Sequence, residues 1–227
     1  MAVTIRPLCI HEELQQVSQI DQRMWPGGDA IPVSLLRVFG DHGGLILGAF
    51  DEGAMVAMAV AFPARYEETE YLHSHMMAVL PSHQSQGIGR LMKAYQVRWA
   101  LAQGYGFVGW TFDPLQMRNA RFNLGILKAR VLAFYANYYG SLGDAINGAL
   151  PTHRFFVGLN PKWQSQAMRR PRKLVPIPPD ILLWRQQDPI RAAWWSDYYL
   201  AQFADCRYPV LGIARLPRGR LCYVCGD

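Results

Sequence analysis

Hydrophobic and polar positions along the chain switch between two periods, and the switches predict its elements. Residues 2–8 alternate as a strand does. From His11 to Met24, the apolar positions Leu14, Val17, Ile20 and Met24 recur at helical spacing until Pro26-Gly27-Gly28 stops them. A short helix follows over 32–39. Positions 45–50 and 55–62 read as strands joined at Asp51-Glu52-Gly53-Ala54, a hairpin turn. A further strand over 71–80 ends at Pro81. Helical spacing returns over 88–101, and Gly104 closes it. Then come a strand over 107–112, a helix over 115–128 introduced by Asp113-Pro114, and strands over 131–139 and 154–160. This order predicts a mixed α/β fold, a largely antiparallel central sheet flanked by helices.

After Pro161 the pattern changes. Arg169-Arg170-Pro171-Arg172-Lys173 is a basic run, followed by Pro176, Pro178 and Pro179, and it reads as a solvated linker. Asp188-Pro189 opens a helix with Ile190, Ala193, Trp194 and Tyr198 along one side. A closing hairpin over 208–215 and 221–225 turns at Pro217-Arg218-Gly219. The expected organisation is a core over 1–160 and a C-terminal helix-plus-hairpin extension over 161–227 packed on it. Trp194, Trp195, Tyr198, Tyr199 and Phe203 form an aromatic stripe at helical spacing. Such a stripe is core or an oligomer contact, which leaves a homodimer open.

Composition narrows the classes. Of 227 residues, 51% are hydrophobic and 18% charged, enough apolar material for a packed core. No apolar run approaches the ~18–20 residues that span a bilayer, and the start lacks a signal peptide's apolar stretch. A cytoplasmic protein without membrane contact is expected. The net charge of +6 favours anionic partners, whether nucleic acid, anionic lipid or a polyphosphate cofactor. Because no stacking aromatics interleave the basic run, nucleic acid is not expected. Cys222 and Cys225 have C-x-x-C spacing, but no second pair completes a zinc site, so no metal is expected. Together with Cys9 and Cys206 they read as free thiols.

The strongest local signal is His83-Gln84-Ser85-Gln86-Gly87-Ile88-Gly89-Arg90, between a strand and a helix. Glycines remove Cβ atoms where backbone must approach a ligand, and the first helical turn presents free N–H groups backed by the helix dipole. Pyrophosphate suits such a site, with Arg90 or Lys93 adding charge. A Walker A loop needs Gly-Lys-Ser/Thr, which is absent, and a dinucleotide fingerprint needs glycine where Met92 stands.

Gln84-x-x-Gly87-x-Gly89, preceded by a strand ending Met77-Ala78-Val79-Leu80-Pro81, resembles the acyl-CoA signature of the GNAT superfamily. The stretches Leu72–Met76, Trp110–Gln116, Arg118–Asn123, Asn137–Gly140 and Asn147–Thr152 resemble one subgroup of predicted acetyltransferases, related to enzymes that N-acylate amino acids. The resemblance implies that Gln84, Ser85, Gln86, Gly87, Ile88, Gly89 and Arg90 hold the pyrophosphate of acetyl-CoA or another acyl-CoA, succinyl-CoA included. It also implies that Met77 and Val79 bond the pantetheine through their backbone. Asn119 falls where the family often places an asparagine against the pantetheine or the sulfur end. The family's usual tyrosine proton donor falls on Ile126, which has no hydroxyl.

Amide formation from a thioester and an amine needs a base, donors for an oxyanion, and protonation of the leaving thiolate. His75, then His73, are the candidate bases, and alternation puts them on one strand face. Glu68 and Glu70 are carboxylate alternatives. Tyr139 or Tyr138 would replace the missing acid. Arg154 and Asn137 are candidates for holding a small amine acceptor, most suitably an amino acid, whose carboxylate an arginine pairs bidentately. An acyl-CoA-binding domain without turnover is the competing reading.

Overall fold

The computed structural model describes residues 3–140, 142, 147–163, 170–205 and 209–227. The chain divides into two compact units, Met1–Trp110 and Thr111–Asp227. Residue 161, where the composition changes, lies inside the second.

The first unit begins with β1 (Thr4–Pro7), α1 (His11–Met24) and α2 (Val33–Asp41). β2 (Leu45–Asp51), β3 (Ala54–Tyr66) and β4 (Thr69–Val79) follow, then α3 (Ile88–Ala102) and the start of β5 (Val108–Phe112). β1, β2, β3 and β4 pair antiparallel in chain order, and β5 joins β4 in parallel. The β2–β3 turn works because Glu52 and Gly53 both take positive φ, 48° and 85°, as a two-residue hairpin demands. α1 and α2 bury Leu14, Val17, Ile20 and Leu36 against Ile46, Met58, Val60 and Ala78 of the sheet. α1 has no side-chain cap, but Glu12 and Glu13 stand in its first turn, where the helix dipole favours them, and Arg6 pairs with Glu13.

In the second unit, α4 (Met117–Ala120) continues into a π-helical segment, Arg121–Ile126. The expected helix over 115–128 is therefore shorter and wider than an α-helix. Leu127 N–H reaches back five residues to the Phe122 carbonyl. β6 (Arg130–Tyr135) pairs antiparallel with β7 (Arg154–Leu159).

β8 (Pro171–Pro176), β9 (Val210–Arg215) and β10 (Leu221–Gly226) form a three-stranded sheet with β10 in the middle, and α5 (Ile181–Gln187) and α6 (Pro189–Phe203) lie between β8 and β9 in sequence. The basic run is thus not a linker where it is described: Pro171 to Lys173 are in β8. An edge strand tolerates its prolines, and Arg172 holds Asp227 through two nitrogens, at 2.8 and 2.9 Å.

Both helices are capped by aspartate. Asp180 accepts from Leu183 N–H at 3.0 Å and Asp188 from Arg191 N–H at 3.1 Å. The aromatic stripe divides in two. Tyr199 and Phe203 are core, packed with Phe155 and Tyr223, whereas Trp194 is 57% exposed and stacks on Tyr198. Cys222 and Cys225 are buried free thiols, with Cys225 pushed up to about 11 by burial. Cys9 is free but exposed, and Cys206 lies outside the described residues.

Candidate functional site

The site candidate in the first unit is built by one strand that loses its neighbour. β4 and β5 pair only at Leu72↔Val108 and His73↔Gly109. β4 then runs on to Val79 with no partner on that side among the described residues. Between Val60 and Ala61 of β3 the register slips, so that Met76 and Ser74 are opposed but His75 is extra. This β-bulge inverts which residues face the open edge. Before it, Leu72 N–H points toward β5, bonding the Phe107 carbonyl at 3.1 Å. After it, Leu80 N–H bonds back to Val56 of β3 at 2.9 Å. Alternation then turns the backbone groups of Met77 and Val79 toward the open side.

The next residues carry the chain into α3. Ser85 takes φ 64° and Gly87, the residue before the helix, takes φ 85° and ψ −4°. The left-handed turn needs glycine at 87 and frees the N–H groups of Ile88, Gly89 and Arg90, which have no acceptor inside the helix. Leu91 N–H closes the first bond, to Gly87, at 3.1 Å. Gln84 and Gln86 do not project freely. Gln84 Nε2 donates to the Val79 carbonyl at 2.9 Å, and Gln86 Nε2 to the Ser82 carbonyl at 3.1 Å. His83 Nε2 lies 3.3 Å from Asp51 Oδ2, tying the same loop to the end of β2. The loop is therefore tied at three points and leads into the unbonded N–H groups of the first turn of α3, with exposed Arg90 among them.

Lys93, expected to add charge here, does something else. It is 2% exposed, donates to Ser74 Oγ at 2.8 Å, and sits 4.1 Å above the Trp110 ring. Burial lowers its pKa to about 7. Ser74 Oγ in turn donates to Gln96 Oε1 at 3.0 Å. The helical pattern of α3 made Lys93 look like a surface residue, and only the depth of packing reverses that.

His73 and His75 are neighbours, ring centroids 6.1 Å apart, and both lie against Phe62. Their environments differ. His73 is buried, its Nδ1 is 3.1 Å from the Tyr71 hydroxyl, and burial, with His75 and Lys93 adding, lowers its pKa to about 4. His75 stands at the bulge and reaches solvent. Its pKa is also lowered by desolvation, with Asp21 opposing. Glu68 is exposed and lies in an ion pair with Arg65.

The remaining candidates belong to the second unit. Asn119 Nδ2 donates to Gln116 Oε1 at 3.0 Å. Asn137, Tyr139 and Arg154 come together. Asn137 takes φ 46°, its Oδ1 accepts from Thr152 N–H at 3.1 Å, and its own N–H donates to His153 Nδ1 at 3.2 Å. Tyr139 is half-exposed, its hydroxyl 2.8 Å from Thr111 Oγ1, with the Arg154 guanidinium 5.2 Å over its ring. Arg154 is buried and donates to Asn147 Oδ1 and the His153 carbonyl, both at 2.9 Å. Tyr138 stacks on Tyr135 and has its pKa raised by burial and by Tyr139. Ile126, at the family's tyrosine position, is 48% exposed.

Asp113 has a structural task that sequence spacing did not reveal in full. It accepts from Leu115 N–H at 2.9 Å, as a capping residue should, and forms a buried ion pair with Arg185 of α5 at 2.8 Å. Among the described residues no group of three or more His, Cys, Asp or Glu is placed to hold a metal ion. No helix among them is long and apolar enough to cross a membrane.

Comparison with known proteins identifies the fold. The acetyltransferase (GNAT) family model matches residues 12–123. The ribosomal-protein-S18-alanine N-acetyltransferase of Escherichia coli superposes with a TM-score of 0.56 at 16% identity, covering 74% of this chain and 99% of that one. Arabidopsis thaliana NAA60 in complex with acetyl-CoA gives 0.56 at 12% identity, over 70% and 98%. A GNAT family acetyltransferase from Elizabethkingia anophelis with acetyl-CoA bound gives 0.52 at 15%, over 70% and 97%. No curated protein matches in sequence. The fold is the GNAT fold with an added C-terminal hairpin sheet, and the GNAT family model matches its first half, residues 12–123. It is a transferase by class.

Proposed function

We propose that the chain is an N-acyltransferase that moves an acyl group, acetyl or succinyl, from acyl-CoA to the primary amine of a small acceptor, an amino acid being the best-suited class. One observation carries this reading. A strand edge left open at Met77 and Val79 leads within one loop to the bared N-terminus of α3. The pyrophosphate is assigned to the N–H groups of 87–90, with Arg90 beside it, and the pantetheine to the backbone of Met77 and Val79. Gln84 contributes by tying Val79 to that loop. An N–H of the open edge is the donor assigned to the oxyanion.

In the step itself the acceptor nitrogen bonds the thioester carbon, its proton passes to His75, and the C–S bond breaks. His75 suits the base because it reaches solvent and is neutral at neutral pH, whereas His73 at about 4 is too weakly basic and buried. Tyr139 is assigned to protonate the departing sulfur, with Thr111 orienting its hydroxyl. Arg154, over the Tyr139 ring and held by Asn147 and the His153 carbonyl, is assigned to supply positive charge for an acceptor carboxylate, with Asn137 beside it in the same loop region. Asn119 is assigned to the sulfur end.

A thiol-release screen crossing acetyl- and succinyl-CoA with D- and L-amino acids tests the reading. Coenzyme A binding without thiol release from any amine would overturn it. Preference for a polyamine or an aminoglycoside would overturn the amino-acid assignment alone.

A further inference from the structure

The second unit holds a cleft of about 450 Å³ that the acyl-transfer reading does not use. One wall is α4 with the π-helical segment that continues it, which together contribute Arg118, Arg121 and Ile126. The other is the β9–β10 hairpin, which contributes Ile213, Arg215 and Leu221. The two walls approach closely because Gly125 has no side chain: a Cβ there would meet Ile213 Cδ1 at 3.1 Å. Arg118 and Arg121, three residues apart, share a helix face that is turned well away from Asn119.

The lining has a definite chemical character. It contains three arginines and no carboxylate. Among the described residues, neither Arg121 nor Arg215 forms an ion pair with an acidic side chain. Arg121 and Arg215 bring like charge to one hollow, and an anion bound there would offset it. Guanidinium is the group whose planar fork matches phosphate and carboxylate oxygens in pairs. The rest of the lining is largely apolar: Leu221 is 8% exposed, and Ile126, at 48%, offers surface that a ligand would cover. The volume lies in the range of small-molecule sites, about 300–1,000 Å³.

We propose that this cleft is a second binding site, for an organic anion whose phosphate or carboxylate head is held by Arg121 and Arg215 and whose apolar body lies on Ile126 and Ile213. No lining residue comes from Met1–Trp110, and none is among those assigned above to acyl-CoA or to the transfer step. The site therefore stands or falls independently of the transfer chemistry.

Phenyl phosphate is the probe, titrated by calorimetry into the whole protein saturated with coenzyme A, with phenol and inorganic phosphate as controls. Saturable binding of phenyl phosphate is expected, tighter than either control because it carries both head and body. Arg121→Ala combined with Arg215→Ala should weaken it at least ~10-fold, the loss of two charge-assisted contacts. Both residues are exposed, so folding should survive, and unchanged coenzyme A affinity and melting temperature would confirm that it has. Single Arg→Lys variants should fall between, keeping charge but losing the fork. The proposal is overturned if phenyl phosphate shows no saturable binding, if coenzyme A displaces it, if phenol binds as tightly, or if the double variant binds as well as the native chain.

Discussion

Lys93 Nζ donates to Ser74 Oγ at 2.8 Å from the interior of the first unit, where no carboxylate among the described residues pairs with it. Desolvation holds its pKa at about 7 in the folded protein, against 10.5 for an ordinary lysine. Between those values the unfolded chain binds more protons than the folded one. Stability from this group therefore rises with pH across that window, by up to ~1.4 kcal/mol per pH unit, and the cost is greatest at and below about pH 7. Lys93→Met keeps the length of the side chain and removes the charge, so it should stabilise the protein near neutrality and flatten the rise. Urea unfolding at about pH 7 and about pH 9.5 measures both effects. A native chain whose stability does not rise between the two would show that Lys93 finds a solvated position.

His75 as the base fixes the direction of a second pH dependence. Its folded pKa lies below the ordinary 6.5, so kcat/KM should be flat at neutral pH and fall on the acid side of that value, as the imidazole charges. His75→Ala should lower kcat by roughly 10²–10⁴-fold and abolish that acid limb. His73→Ala should alter stability more than rate, because a buried imidazole at about 4 is neutral throughout the working range. An acid limb that survives in His75→Ala would move the role to another group.

Gln84 reaches from the loop to the Val79 carbonyl at 2.9 Å, so it sets the distance between the open strand edge and the start of α3. Gln84→Ala removes the bond to Val79, worth about 0.5–1.5 kcal/mol. The expected result is a KM for acyl-CoA raised several-fold with kcat nearly unchanged, since the reacting atoms are not touched. A fall in kcat at constant KM would place Gln84 in the chemistry.

The parts of this molecule that sequence made legible are those ruled by local rules. Glu52-Gly53 announces its hairpin because the turn demands positive φ, and α3 shows its buried stripe at Ile88, Met92 and Val97. Gly87 marks the loop for the same backbone reason. What stayed hidden depends on distant partners. β8 is a proline-bearing edge strand that exists because β10 pairs with it, so its own residues carry no strand signal. The π-helical segment over 121–126 breaks the 3.6-residue period, and nothing in the local apolar spacing announces it. Lys93 is polar by type and core by packing.

Arg185 and Asp113 are another such pair, far apart in sequence and each only 4% exposed, with 2.8 Å between Nη1 and Oδ2. Arg185→Met strands a buried carboxylate and should cost about 3–5 kcal/mol. Arg185→Met with Asp113→Leu should recover part of that, because two apolar groups leave no charge unanswered. The recovery will be incomplete, since Asp113 also accepts from Leu115 N–H. Thermal unfolding of the four proteins gives the coupling, and additive losses would mean that the ion pair is not the source.

Gly87 and Gly53 make a matched pair of substitutions. Both have φ 85°, and a Cβ added to either meets nothing within 4 Å. Alanine at each position therefore imposes backbone strain alone, of about 1–2 kcal/mol, and similar losses of stability are expected. Their consequences for the substrate should differ. Gly87 is the residue from which the first N–H groups of α3 are aimed, and relaxing its φ re-aims them. Gly53 turns the β2–β3 hairpin and belongs to no part of the acyl-CoA loop. Gly87→Ala should raise the KM for acyl-CoA by about tenfold, equivalent to ~1.4 kcal/mol of lost binding, while Gly53→Ala leaves it unchanged. If both variants shift KM equally, general loosening explains the effect and the α3 N-terminus loses its assignment. If neither shifts it, the pyrophosphate is held elsewhere.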